Sequence, residues 1–293
     1  MDPEQNSYKD KFRIIMKLYR TKKGIIIEVE DNYYLEENVS WDSFFNDDNL
    51  IHKIKDIQTT RRPVPDGSSI LESEIIAPIQ SQEIWASGVT YYNSKLGRQE
   101  ESKSSGGGQF YAHVYEAERP ELFFKATAAR TVGPGEKVRI RKDSVWDVPE
   151  PELTLAITST GKIIGFTIGN DMSSRSIEGE NPLYLPQAKT YDGCASIGPC
   201  IYVTDKVLQK DTLIHMDIFR ERNKVFMGET SLAQMKRDPE ELVSFLYREC
   251  SFPNGCFLMT GTGIVPSSDF TLVSGDEIHI TINPIGELIN IVE

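Results

Sequence analysis

The chain is poor in histidine, in basic residues and in long apolar runs, and each shortage closes a class of function. Its four histidines, His52, His113, His215 and His279, are scattered, and none falls in a metal-ligand motif. The four cysteines, Cys194, Cys200, Cys250 and Cys256, lack the CxxC spacing of zinc sites and read as buried thiols rather than a four-thiolate centre. Lys and Arg number 32 against 44 Asp and Glu, a formal net charge of −12. That balance excludes nucleic acid and an anionic membrane surface as partners, and an anionic substrate would need local basic groups or a metal to approach. No apolar run nears the ~20 residues of a membrane span. The opening MDPEQNSYKDK has no signal-peptide core, so a cytoplasmic protein is expected. Internal repeats are absent.

What is present is enough to build a full core: 293 residues, 39% of them hydrophobic. The pattern predicts a β-rich α+β protein, with a small N-terminal domain over residues 1–72 and a larger one over residues 73–293. The runs RIIMKLY and GIIIEVE, parted by a polar turn ending at Gly24, read as a hairpin. A helix comes next, with Ser40 or Asp42 as its cap and an interruption at residues 46–49. Residues 61–67, RRPVPDG, are linker chemistry. Strand patterns recur from Glu83 onward. Asp238-Pro239-Glu240-Glu241 starts a helix with an N-cap acid and proline in the first turn, and the last 23 residues alternate over two strands joined at Asn283-Pro284. Residues 100–109, EESKSSGGGQ, have no periodicity and read as a surface loop or, over residues 97–109, a lid over a site.

The most informative stretch is residues 149–171, PEPELTLAITSTGKIIGFTIGND. Side chains alternate across a strand, so Glu150 and Glu152 share a side with Thr154 and Ala156, while Leu153, Leu155 and Ile157 take the other. On the second strand Ile164, Phe166 and Ile168 oppose Gly165, Thr167, Gly169 and Asp171. With Thr160-Gly161 as a two-residue turn, Glu152 faces Gly169 and Glu150 faces Asp171. Opposed β-carbons lie ~5 Å apart. Three carboxylates that close repel one another and ask for a cation or a proton. A loop of odd length would instead pair Glu150 with Asn170 and turn Asp171 away, and the bland alternative is a solvated, acid-decorated hairpin.

Glu150-Pro151-Glu152-Leu153, then Gly169-Asn170-Asp171-Met172-Ser173-Ser174-Arg175, Lys189-Thr190-Tyr191-Asp192, Gly198-Pro199, Thr260-Gly261-Thr262, Ser274-Gly275-Asp276 and the run from Ile285 to Asn290 together resemble the fumarylacetoacetate hydrolase family. The resemblance covers about the last two thirds of the chain. It implies a large mixed β-sheet folded over into a roll, a homo-oligomer (dimer or tetramer), and Glu150, Glu152 and Asp171 as ligands of Mg2+, with Mn2+ or Ca2+ possible in its place. Thr262 matches the family's substrate-carboxylate contact. Lys189 is carried over as a substrate contact and proton-transfer group, and Glu121, in a stretch similar to the family's Pro-x-Leu-Phe-x-Lys strand, is the second candidate for proton transfer. One side of that strand holds Glu121, Phe123 and Lys125.

Oxygen ligands that leave metal positions open suit a 2-oxo acid, whose carboxylate and keto oxygen chelate the ion and whose C3 hydrogens become acidic. The fate of the resulting enolate depends on the other groups. Where the family has Gly-x-Asn-Tyr-x-x-His, this chain aligns from Gly88 with Thr90 for the asparagine and Ser94 for the histidine, the base that activates water in the hydrolases. Elimination of a C4 hydroxyl is then expected over carbon–carbon cleavage. The resemblance thus points to the dehydratase branch acting on 2-keto-3-deoxy sugar acids. Two other readings stand beside it: an acylpyruvate hydrolase, and a metal-stabilised binding protein without catalysis.

Overall fold

The computed structural model describes residues 15–101 and 113–293. Most of the glycine-rich stretch expected as a loop or lid, from residue 102 onward, lies outside the described residues. Residues 100 and 101 close the helix Tyr92–Glu101.

An 11-stranded sheet carries the molecule. The expected N-terminal hairpin forms as Met16–Thr21 and Gly24–Val29, and a third strand, Asn32–Glu36, extends it. These strands join the large sheet through Lys17 paired with Tyr202 and Leu18 with Ile201. The division expected after residue 72 falls inside the helix Gly67–Glu74. The first helical region is interrupted where the sequence suggests, giving Trp41–Phe45 and Leu50–Thr60. Near the C-terminus, Glu277–Ile282 and Gly286–Val292 form the expected pair inside a second, 5-stranded sheet. Asp238 caps the helix Pro239–Leu246 by accepting from the Glu240 amide.

Two apolar layers result from strand alternation. Leu153, Leu155, Phe166 and Ile168 pack with Ile214, Met216, Ile278 and Ile280 of the smaller sheet. On the opposite face, Ala156, Ile197, Phe257 and Met259 lie under Trp41, Phe44, Phe45 and Leu50. Three of the cysteines are buried thiols, as expected, whereas Cys250, just past the helix Pro239–Leu246, is exposed. No helix among the described residues is long and apolar enough to cross a membrane.

The central hairpin, Pro151–Ile157 and Ile163–Asp171, sets the register on which the site depends. Glu152 faces Gly169, as expected, and the Asp171 amide donates to the Glu150 carbonyl at 2.9 Å. The turn itself differs from Thr160-Gly161. Gly161 donates to the Thr158 carbonyl and takes φ +84°, so Ser159 and Thr160 occupy the bend and glycine the left-handed position after it. A bulge absorbs the mismatch, because Ile157 pairs with Ile163 while Ala156 pairs with Gly165. Ile164, expected beside Phe166 and Ile168, is thereby turned to the other face.

Candidate metal centre

Strand direction explains why so many side chains meet at one place. The sheet runs, in order, Ala195–Val203, Ile163–Asp171, Pro151–Ile157, Cys256–Met259, Glu83–Gly88 and Glu121–Thr127. Cys256–Met259 and Glu83–Gly88 are parallel and the other neighbours antiparallel. The starts of three strands therefore line up with the ends of the other three. Glu150, Glu152, Asp171, the turn at residues 260–262, the turn at residues 88–90 and Glu121 all lie at that end of the sheet.

Glu150, Glu152 and Asp171 are buried, and one oxygen from each lies within 4.8 Å of the others. Among the described residues this is the one group of three or more acidic, histidine or cysteine side chains so arranged. Lys189, 1% exposed, ends the short helix Leu185–Lys189. Its Nζ donates to Glu150 Oε2 at 2.6 Å, Asp171 Oδ2 at 3.0 Å and Ser173 Oγ at 2.6 Å. Glu178, also buried, is 3.9 Å from it. The metal-ligand and lysine expectations thus converge on one cluster.

Two further cations complete the cluster. Lys125 is fully buried and pairs with Asp171 Oδ1 at 2.6 Å. It also donates to the Met172 carbonyl at 2.8 Å and to the Lys189 carbonyl. Strand alternation already placed it on the side of Phe123. Arg175 pairs with Glu150 Oε1 at 3.1 Å and starts a helix, Arg175–Glu180, whose cap Ser174 accepts from Ile177. It closes the motif that begins at Gly169 but carried no assigned role. Glu178, on that same helix, gave no signal.

A pocket opens onto the cluster, with Val89, Ser94, Phe123 and Thr262 among its walls. Ser94 Oγ donates to the Tyr91 carbonyl at 2.7 Å. Thr262 accepts from the Ile264 amide at 3.1 Å. Glu121 stands at the pocket's edge rather than in its wall: a β-carbon on Gly88 would lie 2.0 Å from Glu121 Oε2, so only glycine lets that carboxylate approach the wall.

Electrostatics fit a hard divalent ion. Among the described residues the buried cluster has four carboxylates, Glu150, Glu152, Asp171 and Glu178, against three cations, Lys125, Lys189 and Arg175. One negative charge is left over. Burial, then the charges of Asp171 and Glu150, push the Glu152 carboxyl well above its ordinary range, opposed by Lys189 and by the Gly261 amide. Without a metal, a proton on Glu152 is the answer to crowding. An all-oxygen donor set of this kind suits Mg2+, Mn2+ or Ca2+ over zinc.

Comparison with known proteins agrees with this geometry. The family model for the fumarylacetoacetate hydrolase C-terminal region matches residues 90–293. The chain belongs to that family. A probable 2-keto-3-deoxyxylonate dehydratase of Haloferax volcanii is 47% identical over 223 residues, 76% of each chain. The 2-dehydro-3-deoxy-D-arabinonate dehydratase of Saccharolobus solfataricus is 44% identical over 222 residues, 75% of this chain and 74% of that one. A solved structure of 2-keto-3-deoxy-D-arabinonate dehydratase, complexed with magnesium and 2,5-dioxopentanoate, superposes with a TM-score of 0.77 at 34% identity, covering 96% of this chain and 99% of the other. The folded-over β-rich architecture expected from the sequence is that of the family.

Proposed function

We propose that this chain is a magnesium-dependent hydro-lyase that converts 2-keto-3-deoxy-D-arabinonate to 2,5-dioxopentanoate and water. The carrying observation is the three-carboxylate cluster with Lys189 among its oxygens, in a pocket lined by Ser94, which the family resemblance aligns with the hydrolases' histidine. The two dehydratase relatives, at 47% and 44% identity, support it. Their names also converge, since D-xylonate and D-arabinonate differ only at C2 and C3, the centres a 2-keto-3-deoxy acid lacks.

Glu150, Glu152 and Asp171 would hold the ion, which when bound polarises the 2-oxo group and makes the C3 hydrogens acidic. A substrate with one carboxylate, arriving with a divalent ion, cancels the cluster's surplus negative charge. Thr262 is proposed to receive that carboxylate, and Lys189 to contact the substrate from the other side. The Lys189 ammonium is held by Glu150, Asp171 and Ser173, and Lys189 is proposed to deliver the proton with which the C4 hydroxyl leaves as water. Glu121 is the complementary base, taking the C3 proton. The product has an aldehyde at C5, so elimination across C3–C4 is succeeded by an isomerisation in which C5 loses a proton, C3 regains one, and the resulting enol takes one at C4 as its C5 hydroxyl gives one up. A base that can return its proton serves both stages. A homo-oligomeric, cytoplasmic enzyme is part of the same proposal, supported by the family resemblance.

The test is product analysis by mass with the protein, Mg2+ and either 2-keto-3-deoxy-D-arabinonate or an acylpyruvate. Loss of one water from the sugar acid, with the acylpyruvate intact, is expected. Rapid acylpyruvate cleavage would overturn the reading in favour of the hydrolase, and magnesium binding with neither reaction would favour a binding protein. In D2O, Glu121→Gln should abolish deuterium entry at C3 of 2-oxobutyrate while Lys189→Met retains it. The opposite pattern exchanges the two roles.

A further inference from the structure

We infer that Thr90 is a positioning residue for the metal centre, fixing through the Thr260 carbonyl the turn whose Gly261 amide holds the Glu152 carboxylate. This rests on the proposed metal site. Thr90 is 1% exposed and its Oγ1 donates to the Thr260 carbonyl at 2.6 Å. One residue on, the Gly261 amide donates to Glu152 Oε2 at 2.6 Å. The other flank of the turn is tied to the strand that carries Glu152, because both the amide and the hydroxyl of Thr260 donate to the Leu153 carbonyl, at 3.0 Å and 2.8 Å. Among the described residues Thr260 is thus held from two sides, and the Thr90 bond comes from outside the strand that carries Glu152.

Steric evidence is independent of those bonds. Gly261 has φ +91°, and a β-carbon there would lie 2.0 Å from Thr90 Oγ1, so the glycine sits directly on the hydroxyl. Val89, immediately before Thr90, has φ +54°, a conformation that a β-branched residue adopts only when its surroundings impose it. That strain turns the chain at the pocket wall and aims Thr90 inward at Thr260. The Lys236 amide, donating to the Thr90 carbonyl at 2.9 Å, fixes the main chain behind it. A carboxylate ligand keeps its direction only if its own hydrogen-bond donor is fixed, and loss of such outer partners typically weakens metal affinity by roughly 10–100-fold.

The experiment is calorimetric titration of the metal-free protein with Mg2+, on the native chain and on Thr90→Val, Thr90→Ala and Thr90→Ser, with thermal unfolding of each. Thr90→Val keeps the shape and loses the hydroxyl. It should bind Mg2+ at least about tenfold more weakly, and its turnover should recover at saturating Mg2+, which a general packing defect would not do. Thr90→Ala gives the same measurement should the valine variant not fold. Thr90→Ser, retaining the hydroxyl, should recover most of the affinity. Native affinity in a folded Thr90→Val or Thr90→Ala, or equal weakening in Thr90→Ser, would overturn the inference. A native protein that binds no Mg2+ would instead overturn the metal site itself.

Discussion

Replacing Lys189 by methionine separates chemistry from metal binding, because the structure gives the two effects opposite signs. The Lys189 ammonium lies within 3.0 Å of two of the three proposed ligands, Glu150 and Asp171. Its loss removes the proposed proton donor, and turnover should fall by ~10²–10⁴. It also removes a positive charge from the surroundings of a divalent ion. Unit charges ~4 Å apart interact by about 4 kcal/mol at an effective dielectric of ~20, and each ~1.4 kcal/mol of relieved repulsion is worth about tenfold in affinity. Magnesium should therefore bind more tightly to the variant. Metal-free stability moves the other way, since removing one partner of a buried ion pair costs about 3–5 kcal/mol. Magnesium at roughly a hundred times its Kd returns about 2.7 kcal/mol of that. Calorimetric titration, chemical unfolding with and without Mg2+, and turnover at saturating metal measure the three quantities. Weaker magnesium binding in Lys189→Met would refute the reasoning, for it would mean that the ammonium orients the carboxylates more than it repels the ion.

Lys125→Met should cost about 3–5 kcal/mol of stability, because Asp171 loses one of its two counter-charges and two buried carbonyls lose a donor; a loss below about 1 kcal/mol in chemical unfolding would contradict that. Glu150→Gln, Glu152→Gln and Asp171→Asn should each weaken Mg2+ binding sharply, with excess metal restoring activity only in part, and unchanged calorimetric affinity in all three would sink the ligand assignment. Glu152 makes the metal-free protein sensitive to pH. Its carboxyl is held above the ordinary 4.5, so the folded state binds more protons than the unfolded chain, and this group's contribution to stability declines as pH rises from about 4.5 through the raised value. Magnesium displaces that proton and should bind more tightly over the same window, releasing a proton that calorimetry in two buffers of different ionisation heat detects.

The alternation of residues 151–157 was enough to place Glu152 opposite Gly169, yet the turn that was meant to set this register has a different form. Two departures compensate: the bend moves to Ser159-Thr160, and the bulge at Ile164 takes up the residue. Both faces of the sheet are buried, so a one-residue slip would carry Leu153 and Leu155 out of their layer and Glu152 into it. Burial therefore enforces the register whatever the loop does. The short helices Arg175–Glu180 and Leu185–Lys189 were less legible, being too brief to show a period and rich in serine, proline and glutamate.

The carboxylates were readable because one hairpin carries all three; their grouping with the three cations was not, because each cation comes from a different element. A lone lysine has no period and no partner in sequence, and only the fold shows that Lys125 from one strand, Arg175 from one helix and Lys189 from another converge on two carboxylates, Glu150 and Asp171. Their presence could still be anticipated in kind. A chain with net charge −12 that gathers buried acids must supply local positive charge or leave them protonated. The fold does both, with three cations against four carboxylates and a proton favoured on Glu152. A cluster that stops one charge short of balance is selective: a divalent ion alone leaves it positive, a carboxylate alone leaves it more negative, and the two together leave it neutral. That arithmetic favours an ordered partnership of metal with a monoanionic 2-oxo acid over either one bound singly. By the same arithmetic, exchanging any of the three cations for a neutral residue should shift the pocket's preference toward the metal.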